Sequence, residues 1–373
     1  MKNIQSYCQA LVVGVVLLHL PTPSGATSFT VKNLVTDDQA ANPAQITDPG
    51  LVNAWGLSSS STGPFWVSAN GSGTSVLYRV DPTTQVTTKV PLVVSIPGAG
   101  NVTGQVFNGN ASAFNGDPFL FVSEDGTVSG WRGALGTTAE TLALGSPANV
   151  YKGSALGNVS GNSYLYTANF KANSIDVFKG TAAAPDLSGL FSDPNLPAGY
   201  TPFNIQNLSG SLYVTYAVTD GISNDEIPGQ GNGIVDKFDL EGNFLGRIAT
   251  GGTLNAPWGL AIAPSSFEAM AGDLLVGNFG DGRINVFDPL SFAYLGQILD
   301  AGANPLTIDG LWALSPGNNG SAGSSDMLYF TAGPNDESHG VFGVLTAVPE
   351  PSTYALMFAG ILGLLIKRRG EEP

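Results

Sequence analysis

Asn53-Ala54-Trp55-Gly56-Leu57 and Ala256-Pro257-Trp258-Gly259-Leu260 are the two stretches on which the reading of this chain turns. They lie two hundred residues apart and share a Trp-Gly-Leu core, and Asp309-Gly310-Leu311-Trp312-Ala313-Leu314 is a looser third copy. An apolar, strand-like segment follows each: Phe65–Asn70, Leu274–Phe279 and Leu328–Ala332. The same kind of segment occurs at Phe119–Asp125, Tyr164–Asn169 and Leu212–Tyr216, making six whose starts are 45 to 62 residues apart. A turn and a further strand follow, as at Ser174–Phe178, Gly233–Phe238 and Arg283–Asp288, where apolar and polar residues alternate as in a half-buried strand.

A repeat of this length that holds several strands is the size of one propeller blade. A single small sheet cannot bury both of its faces; blades stacked around an axis cover one another and leave only short edges. The body contains no convincing amphipathic helix. The fold expected is therefore all-β, a six-bladed β-propeller over residues 27–348. A seven-bladed ring with one degenerate blade and a pair of sandwiches are the alternatives. A first strand near Phe29–Val35 is expected to pair with the last blade near Val341–Ala347 and close the ring. The Trp-Gly-Leu openings resemble those of NHL-type and related six-bladed propellers, a likeness of repeat style. Together with Asn33-Leu34-Val35-Thr36-Asp37, they also make the body similar to a family of propellers that carry a C-terminal sorting signal, from which no activity transfers.

Both ends of the chain read as targeting segments. Lys2, an apolar stretch over Ala10–Leu20 and Ser24-Gly25-Ala26 read as a secretory signal peptide over residues 1–26. At the other end stand Pro349-Glu350-Pro351, an apolar run over Tyr354–Ile366, and Lys367-Arg368-Arg369. The two prolines hold the first part extended, the run suits a short transmembrane helix, and the basic triplet belongs at a cytoplasmic membrane face. The run is short against the ~20 residues that span a bilayer, which suits a transient anchor. This order resembles the PEP-CTERM sorting signal of Gram-negative bacteria, here over 349–373. The resemblance implies recognition and cleavage by exosortase, after export by the Sec machinery, of a protein that accompanies exopolysaccharide production. It implies nothing about activity.

Composition excludes several function classes. The single cysteine, Cys8, and one of the two histidines, His19, fall in the signal peptide. The body thus has no disulfide, no thiolate chemistry and one histidine, His339, in a loop-like stretch. Lys2 and Lys367-Arg368-Arg369 are four of the 14 basic residues, and Glu350, Glu371 and Glu372 three of the 29 acidic ones, so the body keeps 10 against 26. Nucleic acid is excluded as a partner, since it needs a basic face.

Asn70, Glu124, Asp125, Asn169 and Asn278 end strands at similar points in different repeats, and such ends gather at one mouth of a propeller channel. They are the candidate ligand-binding residues, with hard oxygen atoms suited to calcium. Ala217, Phe279 and Gly333 break the series, and Asn and Asp also serve turns for conformational reasons. The acidic loop with Asp220, Asp225 and Glu226 is a weaker metal candidate, without EF-hand spacing. Trp55, Trp258 and Trp312 are expected to pack within and between blades. No catalytic residue is assigned. The reading is an exported surface or matrix protein whose propeller is a binding scaffold for an exopolysaccharide or surface protein. A metal-dependent propeller hydrolase or lactonase is the alternative, and a matrix spacer without a small ligand is the third.

Overall fold

Each repeat folds into one sheet, antiparallel except for the two-residue strand Ile46–Thr47 that pairs parallel at the outer edge of blade 6, and six sheets make the ring. The computed structural model describes residues 27–348; the signal and sorting segments, 1–26 and 349–373, lie outside the described residues. The innermost strands of blades 1 to 6 are Ala54–Ser59, Val102–Phe107, Tyr151–Val159, Tyr200–Leu208, Pro257–Ile262 and Leu311–Pro316. They neighbour one another in this order, and the last lies against the first. Blade 3 has three strands where blades 1, 2, 4 and 5 have four, because residues 180–199 form no strand and Gly189 and Phe191 bond instead to the Glu241-Gly242 turn of blade 4.

The six apolar segments are the second strands of the blades, one place outward from the axis. Phe65–Ala69, for example, pairs with Ala54–Ser59 on its inner side and with Thr74–Val80 on its outer side. The inner position belongs to the Trp-Gly-Leu strands. The ring closes as expected: Ser28–Thr36 pairs antiparallel with Val341–Val348, Phe29 opposite Ala347 and Val31 opposite Leu345. The start of the body thus supplies the outer part of blade 6, and its edge is covered by the chain's own backbone.

The glycine of the Trp-Gly pair has a steric cause. A Cβ on Gly56 would lie 2.3 Å from the carbonyl oxygen of Thr103, and one on Gly259 would lie 2.7 Å from that of Trp312. At these two positions the inner strands of adjacent blades approach too closely for a side chain, whereas blades 4 and 6 carry Asn204 and Ala313 at the equivalent place. A register shift between Ala54 and Leu57, with a counterpart in each inner strand, interrupts the ladder just there. It places the residue before the glycine, or its equivalent, at the axis: Trp55, Thr103, Lys152, Phe203, Trp258 and Trp312.

Candidate functional site at the propeller mouth

The axis is plugged by aromatic rings. Trp55 stacks on Trp312 with centroids 3.7 Å apart, and Phe279 covers Trp312 at 4.0 Å. Trp258 meets Trp312 edge-on at 5.8 Å, and Phe203 lies 5.9 Å from it. The edge-on and tilted pairs contribute about 0.5–1.5 kcal/mol each beyond area burial. The three tryptophans pack together, as expected, and they form a floor rather than the wall of an open channel.

Above this floor, at the end where inner strands begin and second strands finish, lies a cluster of charge centred on Lys152. Its side chain is 2% exposed. Its Nζ donates to Glu124 Oε1 of blade 2 at 2.6 Å, and Asp225 of the blade 4 loop is 3.4 Å away. The ammonium also stands over the rings of Trp55 and Phe170, at 5.1 and 5.8 Å. Its backbone oxygen accepts from Trp258 Nε1 of blade 5 at 3.1 Å. A side chain that touches so many blades at once can only be at the axis. Burial acts to lower the Lys152 pKa, but the charges of Glu124, Glu226 and Asp225 outweigh it and hold the ammonium above its ordinary value.

A chain of amides continues from Glu124. Asn70 Nδ2 donates to Glu124 Oε2 at 3.4 Å, and Asn53 Nδ2 donates to Asn70 Oδ1 at 3.3 Å and also to Glu337. Asn53 Oδ1 accepts from Trp312 Nε1 at 3.0 Å, tying the polar ring to the aromatic floor. Burial pushes the Glu226 acid up to about 7, against the pull of Lys152, and raises Glu337 as well. Glu226 bonds to no other side chain among the described residues, and its own backbone amide acts to lower its pKa. Beside the mouth, a cleft of about 510 Å³ is lined by Glu124, Asp125, Ser146, Asn149, Lys171 and Asn224.

Of the residues singled out from the sequence, Asn70 and Glu124 lie in this network, and Asp225 and Glu226 reach it from the blade 4 loop. Asp220 instead turns its own loop, accepting from the amides of Ile222 and Ser223, each at 2.8 Å. Asp125 serves a turn, accepting from Ala99 N at 2.7 Å and Thr127 N at 2.9 Å, while also lining the cleft. Asn169 and Asn278 are fully buried within their blades, bonded to Asp176 and Asp281 among others. The equivalence drawn among the five is one residue out. Ala69, Ser123, Asn169 and Asn278 oppose equivalent inner-strand residues, so the axial position is the next one: Asn70, Glu124, Phe170 and Phe279. Successive side chains of a strand point to opposite sides, so one step exchanges a mouth-facing residue for a blade-facing one. His339 bonds through Nδ1 to Asp37 Oδ2 at 3.1 Å, at the join between blade 6 and the closing strand. Among the described residues, no three His, Cys, Asp or Glu side chains are grouped to hold a metal.

Lys152, Glu337 and Asn53 are central residues that were not selected as ligand candidates. For Lys152 the signal was the repeat itself: Lys152-Gly153 occupies the place of Trp55-Gly56.

Comparison with known proteins agrees with both parts of the chain. Uncharacterized protein R648 of Acanthamoeba polyphaga mimivirus is 32% identical over 333 residues, covering 85% of this chain and 80% of that protein. The chain belongs to the same family as this viral protein. Uncharacterized protein L690 of the same virus is 30% identical, over 80% of this chain and 81% of its own length. Among solved structures, an auxiliary nutrient binding protein from Bacteroides ovatus aligns with a TM-score of 0.52 at 11% identity, over 87% of this chain and 78% of that one; this likeness concerns the fold. The PEP-CTERM protein-sorting motif matches residues 347–369. The motif marks an exported protein that transits a membrane and implies processing by exosortase. No helix among the described residues is long and apolar enough to cross a membrane.

Proposed function

We propose that this is an exported binding scaffold whose ligand sits at the propeller mouth, against Lys152, Glu124 and the adjoining cleft. In this reading residues 1–26 are a signal peptide read by the Sec machinery, and 349–373 are the sorting segment. Pro349-Glu350-Pro351 is the recognition part, Tyr354–Ile366 a transient anchor and Lys367-Arg368-Arg369 its cytoplasmic stop. The folded body, 27–348, then rests at the cell surface or in the matrix, in contact with exopolysaccharide or a surface protein.

One observation carries the binding role. At the axial position where three blades place a tryptophan, blade 3 places a lysine that is 2% exposed and ringed by carboxylates. A buried charge pair is a weak source of stability compared with apolar packing, so its presence in a ring otherwise rich in aromatics supports a role in recognition. The test is calorimetry of the full chain with purified extracellular polysaccharide and a panel of neutral and charged oligosaccharides, against Lys152→Met. Binding that the substitution removes supports the reading; a protein that binds nothing, or binds identically without Lys152, overturns it.

The hydrolase reading keeps one observation, the Glu226 carboxyl, which bonds to no other side chain among the described residues and which burial pushes up to about 7. Calcium titration with an esterase and lactonase screen checks it. Turnover that depends on calcium and on Glu226 would favour catalysis over binding.

A further inference from the structure

We infer that, while the sorting segment is attached, the propeller stands on the membrane on the side away from its mouth, with the rim of blades 5 and 6 nearest the bilayer. The inference rests on the reading of Tyr354–Ile366 as an anchor and gives that reading an orientation. Strand directions carry it. In blade 6 the inner strand starts at the mouth, where Leu311 pairs with Ala332, the end of the second strand. Ala332 pairs in turn with Val341, so the third strand, Val341–Val348, starts at the mouth and runs away from it. Its last residue, Val348, pairs with Ser28 of the closing strand. The two ends of the body therefore meet on the side away from the mouth, and the sorting motif, matched over 347–369, begins there.

Side-chain contacts fix the place. Thr27 Oγ1 donates to Glu268 Oε2 at 3.0 Å, and the Phe29 ring lies 4.5 Å from that of Phe267. Phe267 and Glu268 stand in the loop between Ile262 and Leu274, which pair at the end of blade 5 away from the mouth. Phe29 N donates to Leu299 O at 2.8 Å, just past the outermost strand of blade 5, so the exit is at the rim. The chain from Val348 to Tyr354 reaches at most about 22 Å. A body of this size has a radius of gyration of about 20 Å, so this short tether keeps the exit side near the bilayer. Charge separates the two sides in the same sense. On the mouth side, the links between second and third strands hold Glu124, Asp125, Asp225, Glu226, Asp336 and Glu337 among others, with Lys171 and Arg283. On the other side, the turns between inner and second strands of blades 1, 3 and 4, residues 60–64, 160–161 and 209–210, hold no charged residue, and that of blade 2 holds only the buried Asp117. The carboxylates there in blades 5 and 6 include Glu268 and Asp326, which accept from Thr27 and Ser265. A carboxylate loses hydration against a bilayer and is repelled by anionic headgroups, so the acidic mouth faces water. It is then open to a ligand before the protein is released.

The test reconstitutes the full chain in phospholipid vesicles that carry a fluorescence quencher on the headgroup. Cys8→Ser removes the one native thiol, and a fluorophore is placed on a single introduced cysteine. Ala271→Cys labels the exit side of blade 5, Ser61→Cys the same side of blade 1, and Ile222→Cys, at a residue 85% exposed, the mouth side of blade 4. Each variant is first shown to keep the wild-type melting transition. Quenching is expected to be at least threefold stronger for Ala271→Cys than for Ile222→Cys, with Ser61→Cys between them. Equal quenching at the three sites, or the strongest for Ile222→Cys, would overturn the orientation and leave the anchor reading standing. Flotation with the vesicles checks the anchor separately, and Leu362→Lys combined with Leu365→Lys should abolish it. A chain that does not float, or floats regardless of that pair, would overturn the anchor reading and the orientation with it.

Discussion

Blade 1 and blade 3 solve the same geometric problem with opposite chemistry. Both send an inner strand to the axis, both break its register at the same point, and both follow the axial residue with a glycine. In blade 1 that residue is Trp55, which stacks on Trp312 and needs no charge partner. In blade 3 it is Lys152, whose burial demands carboxylates from blade 2 and from the loop of blade 4. The backbone is repeated and the side chain is not. Scaffold and site are thus separable within one ring, and the position that departs from the repeat is the place to look for function.

The comparison breaks most sharply when the cation is removed. Lys152→Met leaves Glu124 and its neighbours without a counter-charge, and removing one partner of a buried pair costs about 3–5 kcal/mol. Urea unfolding should show this loss. Adding Glu124→Gln should restore part of it, because the two residues are coupled. If the single change were neutral, the mouth would be more hydrated than its 2% exposure of Lys152 implies.

Next in size is the shared glycine. Gly56→Ala puts a methyl against the carbonyl oxygen of Thr103 at 2.3 Å, a backbone atom that cannot turn aside. A cost of about 1–3 kcal/mol is expected from thermal melts. Gly153→Ala meets Asn204 Oδ1 at 2.0 Å, and its Nδ2 is tied to Trp258 O at 2.7 Å, so it should cost a similar amount. Equal losses in the two blades would establish that the scaffold is indifferent to what its axial side chain does.

Asn53→Ala, which unlinks the polar ring from the floor, should cost about 1–2 kcal/mol, because Trp312 Nε1 is left buried without an acceptor. Tryptophan fluorescence should shift along with the melt.

The smallest effect is a pH slope. The folded-state Glu226 acid is raised from 4.5 to about 7, so between these values the folded protein binds more protons than the unfolded chain. Stability attributable to this group therefore falls as pH rises through that window. The side chain is partly exposed, so the amplitude should be about 1 kcal/mol or less. Glu226→Gln should flatten the slope between pH 5 and 7, and a slope unchanged by the substitution would assign it to another group.

Much of the scaffold could be read directly. Repeated apolar segments, Trp-Gly pairs and a spare first strand were sufficient for a six-bladed ring closed by Ser28–Thr36. A further signal went unread: Asp81 and Asp288 each open an Asp-Pro turn, accepting from the amides of Thr83 and Thr84 or of Leu290 and Ser291. Asp239 performs the same task in blade 4 without the proline. The candidate site was legible only in part. Asn70 and Glu124 end their strands one residue beyond Asn169 and Asn278 in blade terms, and a reading without paired registers cannot see a one-residue offset. Glu337 stood in a loop with nothing to mark it.

What the sequence by itself determined was local and periodic: which segments are strands, how often they recur, where close packing requires glycine, and which tail sends the chain out of the cell. Those properties depend on residue type and spacing along one stretch of chain. Only the tertiary structure decided that Lys152, Glu124, Glu226 and Glu337 meet, because they come from blades 3, 2, 4 and 6 and are as far as 213 residues apart. Closing the ring brings them to one axis, where burial turns ordinary charges into a single coupled group.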